Sequence, residues 1–383
     1  MANRFLIRKN SISRYFDTLL LLILVLIIAF GLVMLYSASS YDGTITYGDA
    51  AYYFKHQLIS TVFGLVVMAV VAFVPYHLWE RFYLWIYLVA VGLLILIIPF
   101  GTTVNGARRW IYVAGISIQP AEIAKLAIII VTAHLLTKLG SYVNELRGFI
   151  IAIVPSLPLA IMIYGITRNL SSAIIVMGIV IIMCFIASKG YKKYLLGLLC
   201  VLAFAAVVVF IIVQNQNSSM GFRGERVLAW LDPSAYASGK GYQTVQALYA
   251  IGSGGFMGKG IGQSMQKLGY IPEAQNDMIF SIICEELGFL GAICVIAMFL
   301  LMLWRCMIIA DNAPDLYGSL ILVGFMAHIA IQVILNIAVV TNTIPNTGIS
   351  LPFISYGGSS VVLLLFEVGM VLSVQRSIKV REI

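Results

Sequence analysis

Apolar runs long enough to cross a lipid bilayer recur along the whole chain, and they limit its fold more than any other feature. A hydrocarbon core about 30 Å thick requires roughly 20 apolar residues in a helix. Hydrophobic residues make up 61% of the sequence and charged residues only 10%, which excludes an ordinary soluble globular protein. These runs predict an all-α integral membrane protein, with residues 1–383 forming a single polytopic membrane domain. The ten predicted transmembrane helices are 16–38, 57–75, 82–99, 120–137, 148–166, 171–188, 194–213, 278–303, 315–340 and 356–375.

The placement of lysine and arginine predicts how this domain is oriented. With the N-terminus in the cytoplasm, the cytoplasmic segments hold about 14 of these residues and the short outer loops hold 4. Both termini are therefore predicted to be cytoplasmic, and residues 214–277 are predicted to form one long extracellular loop. The net charge of +8 follows largely from this cytoplasmic excess, so no nucleic-acid partner is needed to explain it.

Asp277 is the last polar residue before the apolar span that begins near Met278, at the end of the long loop. A carboxylate at the lipid–water boundary, beside a loop rich in glycine, lysine and arginine, indicates a substrate with a lipid tail and a polar head. Glu285 and Glu286 follow along the same helix, roughly 12–13 Å deeper. Because that distance excludes a proton shared with Asp277, we interpret these two acids as structural, capping or pairing within the bundle.

Two further groups of charges lie near the predicted outer boundary. Arg108 and Arg109 stand in a short outer loop, against the charge bias, so an anionic partner is expected. Guanidinium groups bind a diphosphate through paired hydrogen bonds, and lipid headgroups are the alternative. Glu122 and Lys125 follow Pro120 in the first turns of the fourth span and share one face of that helix. They are either substrate contacts or an internal salt bridge that fixes the helix.

A glycine-rich run at 252–262 resembles a phosphate-binding loop without matching one. Ser253 stands where a Walker loop has its first glycine, and Gly260 stands where it has serine or threonine. We therefore interpret the run as a flexible backbone that allows close approach.

Six segments together resemble the SEDS family, named for shape, elongation, division and sporulation, over nearly the whole chain. They are residues 105–111, 119–125, 241–250, 251–267, 270–288 and 346–360, of which the last two are highly specific. Within the family, four short segments are more similar to the division branch, FtsW, or its sporulation relative than to RodA. These are residues 223–226, 232–233, 241–243 and 266–267.

Two motifs depart from the family pattern. Its Thr-Asp-Phe reads Asn-Asp-Met at 276–278, which leaves the carboxylate intact. Its Pro-Asp-Leu-Gly reads Arg-Asn-Leu-Ser at 168–171, which removes an acid, so no role is carried to that position.

The resemblance implies a peptidoglycan glycosyltransferase that polymerises lipid II, the undecaprenyl-diphosphate-linked disaccharide peptide. The reaction is expected on the outer face of the bacterial cytoplasmic membrane, for septal wall synthesis during cell division. The expected partners are membrane lipid, a class B penicillin-binding protein and other divisome proteins.

The same resemblance assigns roles to particular residues. Asp277 is expected to be the general base for the attacking sugar hydroxyl, with inversion at the anomeric carbon. Arg109 and Lys125 are the leading contacts for the diphosphate. No organic cofactor is expected, and a divalent cation, Mg²⁺ or Mn²⁺, with ligands unknown, is an alternative source of positive charge. Substrate binding as a whole is expected at Arg108, Arg109, Glu122, Lys125, Lys267 and Glu273.

A transporter that flips lipid II across the membrane is the alternative function, favoured by the many spans and by Glu367 at mid-depth in the last one. Transporters bind their substrates near the midplane in broken helices, whereas the candidate residues here gather near the outer boundary. That asymmetry favours chemistry at the surface. An elongation- or sporulation-specific member of the family, and a non-catalytic scaffold that recruits a synthase, also stay open.

Overall fold

The computed structural model describes residues 12–14, 17–104, 107–113, 116–214 and 222–381. Its helices are α1 (Thr18–Tyr47), α2 (Tyr52–Phe73), α3 (His77–Arg81), α4 (Tyr83–Phe100), α5 (Pro120–Leu139), α6 (Leu146–Ile153), α7 (Ser156–Thr167), α8 (Leu170–Ala187), α9 (Lys192–Gln214), α10 (Phe222–Leu231), α11 (Tyr242–Gly254), α12 (Ile279–Asp311), α13 (Leu316–Val340) and α14 (Gly358–Ser377), with a 3₁₀ turn at Gly140–Asn144. Its strands are β1 (Ile12–Arg14), β2 (Thr102–Val104), β3 (Ala107–Val113), β4 (Ile116–Ile118) and β5 (Lys379–Arg381).

The predicted membrane spans are confirmed. Within the described residues, nine helical segments are long and apolar enough to cross a membrane, and the pair α6–α7, bent by 41°, makes a tenth when it is counted as one span. Two helices run further than predicted, α1 to Tyr47 and α12 to Asp311. Hydropathy marks the end of an apolar run, but a helix continues through polar residues until something stops it. Helix α1 is stopped by Gly48, which adopts the left-handed conformation at φ 70°.

The centre of the bundle is formed by α5, α13 and α14. In the most apolar 18-residue stretch of each of these helices, 61%, 67% and 67% of the residues are buried, respectively. Helix α2 packs closely along α14 at two glycines. A Cβ at Gly64 would come within 2.7 Å of Leu365, and one at Gly369 within 2.8 Å of Val71. Small residues at these positions allow two membrane helices to approach each other.

Helix α9 lies at the edge of this bundle. No residue in its most apolar window is buried. At its start, Lys193 Nζ donates a 2.8 Å hydrogen bond to the backbone oxygen of Val143, and Tyr194 packs edge-on against Phe149 and Phe185. A helix that is apolar all round and unburied in the protein is suited to face lipid.

The two ends of the bundle carry different structures. Strands β1 and β5 pair antiparallel, with Ile12 opposite Arg381, so both terminal segments lie at one end. An ion pair of 2.6 Å between Asp17 and Arg305 lies near that end. At the other end, β2, β3 and β4 form a three-stranded antiparallel sheet between α4 and α5. We call this second end, which also carries the segment between α9 and α12, the loop face.

The described part of that long polar segment, residues 222–277, contains α10 and α11 rather than only irregular chain. Helix α11 packs along the start of α12 through a stripe of small side chains that includes Ala247 and Ala250. At Gly254 a Cβ would overlap the backbone of Cys284, so this stripe has no room for a larger residue. The packing holds α11 against the membrane bundle.

Candidate active site

Asp277 lies on the loop face, immediately before α12. Its backbone oxygen accepts a 2.8 Å hydrogen bond from the side-chain amide of Asn336 in α13, and the same amide donates to Ile349 at 2.6 Å. Gly348, at φ 68°, lies against the carboxylate, since a Cβ there would be 3.6 Å from Asp277 Oδ2. The two segments that are most specific in the sequence, 270–288 and 346–360, therefore meet at Asp277.

The environment of Asp277 makes its carboxyl group a stronger base than usual. The side chain is half-buried, and its Oδ1 atom is buried without a hydrogen-bond partner among the described residues. Burial, and then the charge of Glu273, raise its pKa to about 6, although its own backbone amide and Arg226 act in the opposite direction. A pKa in this range suits a group that accepts a proton near neutral pH.

Glu273 links Asp277 electrostatically to the sheet on the loop face. It adopts a left-handed conformation at φ 50°, and its Oε2 accepts a 3.1 Å hydrogen bond from Asn276. Its charge raises the pKa of Asp277 and also acts on Arg109 in β3. Arg109 is half-buried, and burial lowers the pKa of its guanidinium while Glu273 raises it. Arg109, Glu273 and Asp277 thus form one chain of interacting charges.

Arg108 and Arg109 point to different surroundings, as neighbouring residues of a strand do. Arg109 Nε donates to the backbone oxygen of Thr167 at 3.4 Å, between the sheet and the end of α7. Arg108 is exposed and donates to the backbone oxygen of Ile98 at 3.2 Å. Of the two predicted arginines, Arg109 is the one in the charge chain with Asp277.

Glu122 and Lys125 form a buried ion pair on α5, with 2.6 Å between Lys125 Nζ and Glu122 Oε2. The prediction that they share one helix face is confirmed. Lys125 also donates to Gln332 of α13 at 3.3 Å, and Gln332 donates in turn to the backbone oxygen of Ser350 at 3.0 Å. The internal salt bridge therefore exists, and contact of this pair with substrate stays a prediction.

Glu285 and Glu286 are both paired, which confirms the predicted pairing within the bundle. Lys259 contacts Glu285 at 2.6 Å, and Lys267 contacts Glu286 at 2.8 Å. Ser37 of α1 is bonded to both members of the second pair, donating to Glu286 at 2.7 Å and accepting from Lys267 at 2.9 Å. We call these five residues the loop clamp. The ammonium group of Lys267, a predicted substrate contact, is buried in this clamp, and its contact with substrate is untested.

The glycine-rich run approaches α12 at backbone distance, as predicted. Gly260 N donates to the backbone oxygen of Glu286 at 2.8 Å, and Phe289 N donates to that of Gly255 at 2.9 Å. A Cβ at Gly258 or at Gly288 would overlap the backbone of the other segment. Gly288 itself has φ 67° and interrupts the helical conformation of α12.

The model of the cell cycle protein family that comprises FtsW, RodA and SpoVE matches residues 17–380. This chain belongs to that family, the SEDS proteins. The resemblance drawn from its motifs is confirmed, including the similarity to the FtsW-like branch.

Several relatives match this SEDS protein over almost its whole length. Stage V sporulation protein E of Bacillus subtilis (strain 168) is 40% identical over 367 residues, which cover 94% of this chain and 97% of that protein. The probable peptidoglycan glycosyltransferase FtsW of Trichlorobacter lovleyi is 37% identical over 380 residues, covering 98% and 97%. The protein of the same description in B. subtilis is 35% identical over 386 residues, covering 98% and 94%.

Solved structures share the SEDS fold. A chain from the structure described as "Structural coordination of polymerization and crosslinking by a peptidoglycan synthase complex" has a TM-score of 0.78 and 27% identity, covering 94% of this chain and 98% of that one. The rod shape determining protein RodA of Thermus thermophilus has a TM-score of 0.68 and 25% identity, covering 95% and 97%. The multi-pass membrane architecture is therefore common to all three.

Three residues of this SEDS site were not predicted from the sequence. Gln332 and Asn336 stand one turn apart on α13 and bond the segment around Ser350 and Ile349. Two amides at that spacing inside an apolar span are the signal that would have identified them. Arg226, whose charge opposes the rise in the pKa of Asp277, comes from α10 and carries no comparable local signal.

Among the described residues, no group of three or more histidine, cysteine, aspartate or glutamate side chains is arranged to hold a metal ion. Two acids of the loop face, Asp277 and Glu273, interact electrostatically. Magnesium is often held by one or two carboxylates together with phosphate oxygens, so two acids suffice when the substrate brings a diphosphate.

Proposed function

We propose that this SEDS protein is a peptidoglycan glycosyltransferase that polymerises lipid II into glycan strands. The observation that carries the proposal is the half-buried carboxyl of Asp277, whose pKa is raised to about 6. The names of relatives such as the FtsW of T. lovleyi support the same activity. A carboxyl of raised pKa that interacts with Glu273, which in turn interacts with the cation Arg109, fits a transfer reaction in which one proton is removed and one anionic group leaves.

In the proposed reaction, a hydroxyl oxygen of the acceptor sugar attacks the anomeric carbon of the donor. Asp277 accepts the hydroxyl proton as the new carbon–oxygen bond forms. The bond between the anomeric carbon and the diphosphate oxygen breaks, and the diphosphate–lipid leaves with the electron pair. Attack opposite to the leaving group inverts the anomeric centre, so an α-linked donor gives a β-linked glycan.

The leaving diphosphate requires positive charge. Arg109 is the first candidate, because its planar guanidinium is half-buried and belongs to the charge chain with Asp277. Lys125 is the second, and it would have to share its ammonium group between Glu122 and the diphosphate. A divalent cation held by Glu273 and Asp277 together with the phosphate oxygens would supply the same neutralisation when bound.

We further propose that the loop face is extracellular and that the partner is a class B penicillin-binding protein. The excess of lysine and arginine in the segments at the opposite end supports this orientation. The similarity to a chain from a peptidoglycan synthase complex supports the partner. The site would then face the side of the membrane on which the wall is built.

Septal wall synthesis for cell division is the proposed cellular role, and sporulation is a second candidate. The specific observation for the second is that the B. subtilis sporulation protein is 40% identical to this chain, whereas FtsW of the same organism is 35% identical. Complementation of B. subtilis strains that lack one or the other protein separates the two roles.

The central test is polymerisation of lipid II by the purified full-length protein, compared with Asp277→Asn. The asparagine keeps the size of the side chain but cannot accept the proton. We expect glycan synthesis to be abolished while the variant stays folded in detergent. Polymerisation by Asp277→Asn at the wild-type rate would contradict the assignment, and lipid II translocation in vesicles without polymerisation would favour the transporter.

A further inference from the structure

A cavity lies on the loop face, and Arg109 and Lys125 are not among the described residues that line it. Its volume is about 230 Å³, and it is formed between α10, α11 and the segment before α14. The residues on which the argument depends are Arg226, Trp230, Lys240, Tyr242, Gln243 and Asn346. Two of them, Arg226 and Lys240, are cations.

The walls of this cavity are held in place by hydrogen bonds between the elements. Trp230 Nε1 donates to the backbone oxygen of Asn342 at 3.1 Å, and Asn342 Nδ2 donates to that of Trp230 at 3.2 Å. Asn346 Nδ2 donates to Gln243 Oε1 at 3.0 Å, and Gln243 Nε2 donates to the backbone oxygen of Pro272 at 3.2 Å. Because α10 and α11 are both fixed to neighbouring segments, the cavity is largely formed before a ligand arrives.

The cavity adjoins the reacting carboxylate through three of its residues. Arg226 donates to the backbone oxygen of Asn346 at 3.2 Å, and its charge lowers the pKa of Asp277. Asn346 stands two residues before Gly348, which lies against the Asp277 carboxylate. Pro272 belongs to the same loop segment as Asp277, five residues earlier. A group bound here would therefore be attached close to the atoms that react.

The lining indicates the chemistry of the ligand. Arginine and lysine together with a side-chain amide bind carboxylate or phosphate oxygens. The flat faces of Trp230 and Tyr242 suit the apolar part of the group that carries those oxygens. A volume of about 230 Å³ is smaller than a pocket for a whole drug-sized ligand, so it would accept one substituent rather than a complete disaccharide peptide.

We propose that this cavity binds an anionic substituent of the acceptor substrate and so positions its hydroxyl at Asp277. The inference rests on the proposed glycosyltransferase function and deepens it, because it separates an acceptor subsite from the diphosphate site at Arg109 and Lys125. The anion is either a carboxylate of the stem peptide or a phosphate oxygen of the acceptor's own lipid linkage. Both present the same chemistry to Arg226 and Lys240.

The test measures binding rather than turnover, in full-length protein that carries Asp277→Asn so that no polymer forms. Fluorescent lipid II is titrated against this parent and against Lys240→Met, Arg226→Lys and Arg226→Gln added to it. We expect Kd to rise on the order of tenfold in Lys240→Met and Arg226→Gln, and less in Arg226→Lys, which keeps the charge. The matched control is Lys55→Met, which removes an exposed lysine on the loop face that is paired with Asp49 outside the cavity.

Two further probes identify the source of the anion. The first probe is lipid II with amidated peptide carboxylates, and the second is the lipid-linked disaccharide without its peptide. If the cavity binds a peptide carboxylate, the Kd of each probe for the parent should be as high as the Kd of lipid II for the variants. If the cavity binds a phosphate oxygen, both probes should bind the variants more weakly than they bind the parent.

Either pattern supports the subsite. Equal Kd values for lipid II in the parent and in Lys240→Met would overturn it, and so would an equal loss in Lys55→Met. Lys240 is exposed, so its substitution leaves the test valid even when Arg226→Gln fails to fold. Because the assay measures the Kd of lipid II and the central test measures the rate of polymerisation, failure of the subsite and failure of the proposed function give different results.

Discussion

The side chain of Asn336 in α13 holds the backbone of Asp277, in the loop before α12, with a hydrogen bond of 2.8 Å. Through its second bond, to Ile349, the same amide fixes the segment that packs against the carboxylate. The position of the reacting group is therefore set by a buried side chain of α13 as well as by the loop that carries it.

The rate of polymerisation should depend on the ionisation of Asp277. Its pKa is raised to about 6, so the carboxylate that accepts the proton is present above that pH and is lost as the pH falls through it. We expect kcat/KM for lipid II to decrease about tenfold for each pH unit below 6. In an Asp277→Glu variant with residual activity, the inflection of kcat/KM against pH should move to another pH. An inflection at the same pH would show that another group titrates.

The same raised pKa has an opposite consequence for stability. An ordinary aspartate in the unfolded chain has a pKa of about 3.9, so between that value and 6 the folded state binds more protons and loses stability as the pH rises. Asp277→Asn carries no such charge. We expect its melting temperature in detergent to exceed that of the wild type at pH 7 and to match it below pH 4. If Asp277→Asn melts at a lower temperature than the wild type at pH 7, burial is not the cause of the raised pKa of Asp277.

Arg109→Ala should weaken the interaction with the diphosphate. We expect KM for lipid II to rise about tenfold or more, because a charge-assisted bidentate contact is lost. Arg109→Lys should recover only part of the loss, since an ammonium cannot reproduce the planar fork. Arg108→Ala provides the comparison and should have the smaller effect, because that residue is exposed and lies outside the charge chain. Equal effects of the two alanine variants would count against the assignment.

The buried pair Glu122–Lys125 should have a role beyond fixing α5. Removing one charge leaves the other buried without its partner, so a double variant, Glu122→Gln/Lys125→Met, is the informative change. We expect the double variant to fold and to polymerise lipid II at a rate reduced about tenfold or more. Full activity of the double variant would show that the pair is purely structural.

The loop clamp should contribute strongly to stability. Glu286→Gln leaves the buried ammonium of Lys267 without its carboxylate, which is expected to cost about 3 kcal/mol. The double variant Glu286→Gln/Lys267→Met should regain much of that loss, because no charge remains uncompensated. Melting temperatures and the rate of proteolysis within 255–270 provide the measurements. A double variant that is less stable than Glu286→Gln alone would show that the two side chains do not act as a pair.

The partner should increase the rate. Residues 214–277 end on Asp277, so a partner that prefers the active arrangement of this segment shifts the population towards it. We expect the cognate class B penicillin-binding protein to raise lipid II polymerisation at least about fivefold at matched protein and detergent. A complex built with Asp277→Asn controls for synthesis by the partner. Equal rates with and without the partner would exclude activation.

The sequence predicts the spans well because bilayer thickness imposes a length on each apolar run, and that length is a local property. It also places Asp277 and the Glu122–Lys125 pair, since each depends only on neighbouring residues in one segment. The pairing of Lys267 with Glu286 is different, because Ser37 completes it from the first helix. No local pattern indicates which of several loop lysines reaches a buried acid.

The helices α10 and α11 escaped prediction for a related reason. Their residues are too polar to be predicted as transmembrane helices. The small residues Ala247, Ala250 and Gly254 indicate helix packing only once the backbone of α12 is known to lie against them. Arg226 and Lys240 are likewise brought to one cavity by packing between elements. Their neighbours in sequence gave no indication that these two cations would line the same cavity.

The mutual approach of Gly258 and Gly288 bears on how such a protein can be recombined. Each glycine leaves the space that the backbone of the other segment fills, so the loop and the kinked part of α12 are matched to one another. A chimera that takes residues 222–277 from a relative but keeps its own α12 would join surfaces selected separately. We expect chimeras that exchange residues 222 to about 300 to insert and fold, and chimeras that exchange only residues 222–277 to fail. The segment that can be exchanged between relatives would then include the first part of the membrane helix α12.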